Sequence, residues 1–128
     1  MAYEKNHGTI MDLPEAPGNF IEHSSKKVIF GPDNWWEDYV MRCFTFDPGK
    51  GLGSANHSHP GPHFIVILKG EGLFHIEDEE FTAKAGDYVY IPPMPYHDFK
   101  NNSDTEEFRF LCIVPKAGDV NPLLGKGC

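Results

Sequence analysis

The chain has 128 residues with 19 acidic and 11 basic side chains, and its net charge of −8 argues against non-specific nucleic-acid binding, which needs a basic footprint. Nothing approaches the roughly eighteen consecutive apolar residues of a membrane-spanning helix, so no membrane span is expected. The length suits one domain with its own core, and 13 Gly and 11 Pro spread along the chain point to many turns rather than long helices.

Residues 1–27 are polar, carry Pro14, Pro17 and Gly18, and show neither helical nor strand periodicity, so they read as an arm lying over the domain. Lys27–Phe30 is a short strand stopped by Gly31-Pro32. Trp35 and Trp36 sit at a turn, where they either pack the arm onto the body of the domain or belong to a subunit interface or pocket lip. The first thirty residues lack a basic segment followed by an apolar one, so a cytoplasmic protein is expected. Cys43, Cys112 and Cys128 form an odd set without metal-finger or redox spacing and read as reduced thiols; a Cys43–Cys112 disulfide is the minor alternative.

From Asp38 onward the pattern is all β. Tyr39–Phe46, Phe64–Leu68, Leu73–Ile76, Phe81–Ala83, Tyr88–Ile91 and Phe108–Val114 are the predicted strands. Asp47-Pro48-Gly49, Lys69-Gly70-Glu71-Gly72, Glu77-Asp78-Glu79-Glu80, Ala85-Gly86-Asp87 and Pro92-Pro93 supply the turns between them. Short strands in this rhythm make a sandwich or barrel. The division is 1–37, the arm with a first short strand; 38–114, the core; and 115–128, a Gly/Pro-rich tail.

Three imidazoles fall within seven residues in His57-Ser-His59-Pro-Gly-Pro-His63, and a fourth, His97, comes one strand-and-turn unit later. Neutral imidazole is the commonest protein ligand for transition metals. His57, His59 and His63 share odd parity with Ile65 and Ile67, so one strand register through Pro60-Gly61-Pro62 would turn all three rings inward. His97 follows Pro92-Pro93-Met94-Pro95-Tyr96, too rich in proline to continue a ladder but suited to turning a side chain inward. His7, His23 and His75 read as surface or structural residues, and Lys100 and Arg109 as parts of solvated faces.

These residues resemble the two motifs of the cupin superfamily. The first, G-x5-H-x-H-x3,4-E-x6-G, is matched by Gly51, His57, His59, His63 and Gly70, with His63 where the family usually has Glu. The second, G-x5-P-x-G-x2-H-x3-N, is matched by Gly86, Pro92, His97 and Asn101, with Met94 in place of the central glycine. The resemblance covers the 38–114 core and implies a jelly-roll β-barrel, usually paired as a homodimer. It also implies one divalent transition metal per chain (Zn, Fe, Ni or Mn) on His57, His59, His63 and His97.

With His63 for Glu, four neutral imidazoles leave a divalent ion at +2, which favours an anionic or oxygen-rich organic ligand. Arg42, Phe64, Met94, Tyr96 and Phe99 are the candidate pocket residues; Arg42 would hold a substrate carboxylate if it faces inward and would be a solvated arginine if it does not. No catalytic base is identified. The four-histidine set is similar to that of cupin polyketide cyclases, where the ion is a Lewis acid, and cupin dioxygenases are the other enzymatic reading. The non-catalytic alternative is a metal-containing module that binds a small molecule.

Overall fold

The computed structural model describes residues 3, 5–17, 23–49, 62–93 and 97–119. Among these described residues eight strands follow one another: β1 (Ser24–Phe30), β2 (Tyr39–Phe46), β3 (His63–Lys69), β4 (Glu71–Ile76), β5 (Glu79–Lys84), β6 (Tyr88–Ile91), β7 (His97–Asn101) and β8 (Phe108–Pro115). Single 3-10 turns at Ile10–Asp12 and Lys116–Gly118 are the only helical segments among the described residues. The strands form two antiparallel sheets, a five-stranded one ordered β1-β2-β8-β3-β6 and a three-stranded one ordered β5-β4-β7. The fold is a jelly-roll β-barrel, as the strand rhythm and the cupin motifs implied.

Alternation builds the interior. In β3 the odd residues His63, Ile65 and Ile67 are buried and the even ones exposed; in β8 the buried set is Phe108, Phe110, Cys112 and Val114. The two ends of the barrel are filled differently. At one end Phe46 pairs with Phe108 and Phe44 with Phe110, and their rings meet those of Phe74 and Phe99 from the smaller sheet. Phe46 and Phe99 stack at 5.7 Å. At the other end Val40 pairs with Val114, so smaller side chains line the wall.

Two glycines hold the packed end together. At Gly72 in β4 a Cβ would sit 2.2 Å from the Phe108 ring, so only a hydrogen fits. Gly70 has φ +76° and a Cβ there would meet Glu107 O at 2.2 Å, which makes the β3–β4 turn a glycine position on both counts. Close by, Asn101 is buried and its amide donates to Asp47 O at 3.1 Å and Glu106 O at 2.7 Å, tying β7 to the loops on either side.

The strands expected at Tyr39–Phe46 and Tyr88–Ile91 form with those bounds. The structure adds β7, which its sequence did not announce. His97-Asp98-Phe99-Lys100-Asn101 is rich in poor strand formers, and the strand exists because β4 pairs with it along its whole length and Phe99 is buried against Phe46 and Phe74. β1 also starts earlier than expected, taking in Ser24, Ser25 and Lys26. The described arm residues lie along β1: Ala16 N donates to Lys26 O, Lys27 Nζ to Leu13 O and Tyr3 OH to Val28 O. Trp35 packs against both Tyr3 and Phe30 at 6.3 Å, holding the arm as one reading of the sequence anticipated, while Trp36 packs on Tyr39.

Candidate metal centre and its surroundings

His63 opens β3 opposite Ile91 of β6, and its imidazole is fully buried on the inward face with Ile65 and Ile67. His97 opens β7 on the other sheet, opposite Ile76 and two residues before buried Phe99. Both positions lie at the end away from the phenylalanine cluster, where Val40 and Val114 line the wall. The sheets thus bring a buried imidazole and a second histidine position to the same, less crowded end of the barrel. Histidines 57 and 59 and pocket candidates Met94 and Tyr96 lie outside the described residues. Among the described residues no group of three or more His, Cys, Asp or Glu is placed to hold a metal. An enclosed imidazole suits a borderline transition ion rather than a hard ion that seeks oxygen.

The other pocket candidates fall in three different places. Phe64 is corrected: it projects from the outer face of the large sheet, 42% exposed, with its ring against Tyr90. As the neighbour of inward-facing His63 in an extended strand, it must face the other way. Phe99 faces inward but is a core residue, stacked between Phe46 and Phe74 rather than bordering an open space.

Arg42 also faces inward, and the carboxylate it holds belongs to its own chain. Its Nη1 donates to Asp119 Oδ1 at 2.6 Å, its Nε to Cys112 O at 3.2 Å and its Nη2 to Cys112 Sγ at 3.2 Å, with the guanidinium over the Phe44 ring. Lys26, fully buried on β1, reaches the same Asp119 Oδ1 at 3.0 Å. Burial alone would raise the Asp119 carboxyl, but Arg42 and then Lys26 more than offset this and hold it below the usual carboxylate range. Sequence reasoning missed Lys26 and Asp119, one assigned to the arm and the other to the tail. The available signal was parity: Lys26 and Lys27 are consecutive residues of one strand, so one of the two lysines must face the core.

Cys43 and Cys112 are buried free thiols. Cys43 pairs with Leu111 and Cys112 with Arg42, so they project from opposite faces of the sheet and the alternative disulfide does not form. Asp98 lies in β7, 3.4 Å from His75 Nδ1 on the outer face of the small sheet. Arg109 is only partly solvated, donating to Thr45 Oγ1 and Glu107.

A two-sheet jelly roll with histidines opening β3 and β7 defines the cupin class, and residues 42–114, more than half of the chain, match the family described as a cupin domain. The chain belongs to the cupin family. It is 34% identical over 68 residues to the oxalate-binding protein of Thermotoga maritima, covering 52% of this chain and 54% of that one. It is 27% identical over 81 residues to the (S)-ureidoglycine aminohydrolase of Arabidopsis thaliana, covering 63% of this chain and 26% of that one. These matches span from a quarter to little more than half of the relatives' own lengths. Among solved structures, the polyketide cyclase RemF of Streptomyces resistomycificus superimposes with a TM-score of 0.75 at 17% identity, covering 88% of this chain and 80% of that one. At that identity the likeness is one of fold.

Proposed function

We propose that this chain is a metal-dependent cupin that acts on a small anionic or oxygen-rich organic molecule. In this reading His57, His59, His63 and His97 hold one divalent transition ion per chain, Zn, Fe, Ni or Mn. The observation that carries it is the fully buried imidazole of His63 at the position where the cupin motif has its third ligand, at the same barrel end as His97. When bound, the ion supplies Lewis-acid stabilisation of charge on a ligand oxygen. Ile65, Ile91 and Val114 wall the interior beside His63 and keep water from it, which strengthens the electrostatics there. Cyclisation or isomerisation is one enzymatic outcome, and dioxygenation with Fe or Ni is the other; Met94 and Tyr96 are proposed for the pocket wall.

A second reading, a non-catalytic binder that uses the ion to hold a carboxylate, is favoured by the match to an oxalate-binding protein. Elemental analysis of chelator-free wild type and His63→Ala tests the shared premise. About one transition ion per chain, reduced in the variant, is expected; wild type that neither carries nor takes up metal overturns both readings. Oxalate titration of the loaded protein then separates them. Tight 1:1 binding without turnover of enediol or phenolate substrates supports the binder, and oxygen uptake or product formation the enzyme.

The proposal extends to a cytoplasmic homodimer whose barrel core spans 38–114. What supports pairing is the outer face of the large sheet. There Phe64, Val66 and Leu68 of β3 and Tyr88 and Tyr90 of β6 are all exposed, with Tyr88 at 84%. The outer face of the small sheet carries Glu80, Thr82, Lys84, Asp98 and Lys100 instead. An exposed apolar face of this kind supports pairing through the large sheet.

A further inference from the structure

A cleft of ≈ 260 Å³ lies between the arm and the end of β1. Tyr3, Ile10 and Leu13 line it from the arm, and Ile29, Phe30 and Trp35 from the barrel. Ile29 borders the cleft while its neighbour Val28 packs against the core, so the cleft opens on the outer side of β1. His63 and His97 are not among its described lining residues, which sets it apart from the candidate metal centre. Its size falls just below the roughly 300–1,000 Å³ of clefts for drug-sized ligands, which leaves room for one substituted ring.

Two features distinguish this cleft. The first is Trp35, whose φ of +70° is a conformation that bulky residues rarely adopt. The turn imposes it, because Gly31 O accepts from both Asn34 N–H at 2.8 Å and Trp36 N–H at 3.0 Å. Strained backbone of this kind collects at ligand clamps. Held so, the Trp35 ring lies 6.3 Å from both Tyr3 and Phe30, at 51° and 66° to them, and is still 47% exposed. Phe30 is 40% exposed, so packing the arm uses only part of either ring. Rings at such angles leave a face and an edge for a further flat ring. The second feature is charge. The chain carries 19 acidic side chains, yet none of the described residues lining the cleft is acidic, and Lys5 is the lysine among them. Lys5 makes no ion pair with a described residue. Beside it, Asn6 Oδ1 accepts from His7 Nδ1 at 3.2 Å, which leaves the Asn6 N–H groups as donors.

We propose that this cleft is a second ligand site, specific for a small aromatic carboxylate. The ligand's ring lies against Trp35 with Phe30 at its edge, and its carboxylate meets the Lys5 ammonium and the Asn6 amide. An aromatic alcohol keeps the ring contact but loses the charge, and a saturated carboxylate keeps the charge but loses the ring contact. Arm and barrel wall the cleft together, so its occupant bridges the two. The site is independent of metal binding at the histidines.

Calorimetric titration of the chelator-treated full chain with sodium benzoate, benzyl alcohol and sodium cyclohexanecarboxylate at neutral pH tests this, with tryptophan fluorescence as the local signal. Removing metal keeps the candidate metal centre out of the result. The expected outcome is saturable 1:1 binding of benzoate that changes the fluorescence. Benzyl alcohol should bind about three- to fivefold more weakly, the worth of an exposed ion pair, and cyclohexanecarboxylate about three- to tenfold more weakly, the worth of an aromatic contact. Lys5→Met should lower benzoate to the level of benzyl alcohol while leaving the alcohol unchanged. Trp35→Gly removes the ring at a backbone conformation that suits glycine and should weaken benzoate at least about tenfold. No saturable binding of benzoate, or equal binding of all three probes, overturns the proposal. Benzoate affinity unchanged in either variant overturns it equally.

Discussion

Asp119→Asn removes one negative charge from a site where two fully buried cations converge on a single oxygen, Lys26 Nζ at 3.0 Å and Arg42 Nη1 at 2.6 Å. Deleting one member of a buried ion pair costs roughly 3–5 kcal/mol. Asn keeps a carbonyl that can accept from both donors, and Asp119 is 21% exposed, so the loss should fall at or below that range, about 2–3 kcal/mol. For a chain of this size that corresponds to a drop in Tm of roughly 6–12 °C. Urea unfolding followed by tryptophan fluorescence, with a thermal melt alongside, measures it. The pH dependence supplies a second check. The folded carboxyl titrates below its unfolded counterpart, so its contribution is complete above the unfolded value of about 3.9 and is lost as pH falls through the folded value. Wild type and variant should therefore differ fully at neutral pH and converge in acid. A loss under about 0.5 kcal/mol at neutral pH, or a gap that persists in acid, would refute the assignment of Asp119 as the anchor of Lys26 and Arg42.

Gly72→Ala should destabilise the fold, because overpacking by a Cβ at 2.2 Å from the fully buried Phe108 ring outweighs the ~0.5–1 kcal/mol that Ala ordinarily gains over Gly in a strand; a variant as stable as wild type in urea would show that the ring can move aside. Cys43 and Cys112 should resist an aromatic disulfide reagent in the native state, since burial raises both thiols, and should react on unfolding; rapid native reaction at either position would contradict their placement. Phe64→Asp, on the outer face of the large sheet, should halve the apparent mass in sedimentation while leaving the circular dichroism unchanged; an unaltered dimer, or a wild type already monomeric, would remove that face as the pairing surface.

The strands that could be read from sequence were those whose own residues alternate or are continuously apolar, such as Tyr39–Phe46 and Phe108–Val114, because burial on one face leaves a period of two. β7 could not be read this way. Asp98 and Lys100 fill its outer positions and Asn101 one of its inner ones, and the pairing that makes it a strand comes from β4. Of the four histidines singled out by spacing, 57 and 59 lie outside the described residues, while His63 turns inward as parity predicted. The same parity should have excluded Phe64, its neighbour in the strand. Arg42 shows another boundary: an arginine in an apolar strand can be flagged, but its partner is Asp119, 77 residues away in a tail without any motif. Only tertiary structure brings that carboxylate to it.

The place of β8 has a consequence for the order in which the barrel can be made. It lies between β2 and β3 and pairs with both, yet among the described strands it is the last in the chain and so the last of them to leave the ribosome. Until Phe108–Pro115 emerges, β2 and β3 each present an unsatisfied edge, and the inward faces of Phe44, Phe46, Ile65 and Ile67 have no neighbour between them. Synthesis from the N-terminus can preassemble the β1–β2 and β4–β5 hairpins, but the large sheet closes only afterwards, by insertion of a strand into its middle. Contacts of such long sequence separation form slowly, and the open edges meanwhile are the surfaces most prone to wrong pairing. The nascent chain is therefore most exposed to misassembly during the interval between completion of β3 and arrival of β8.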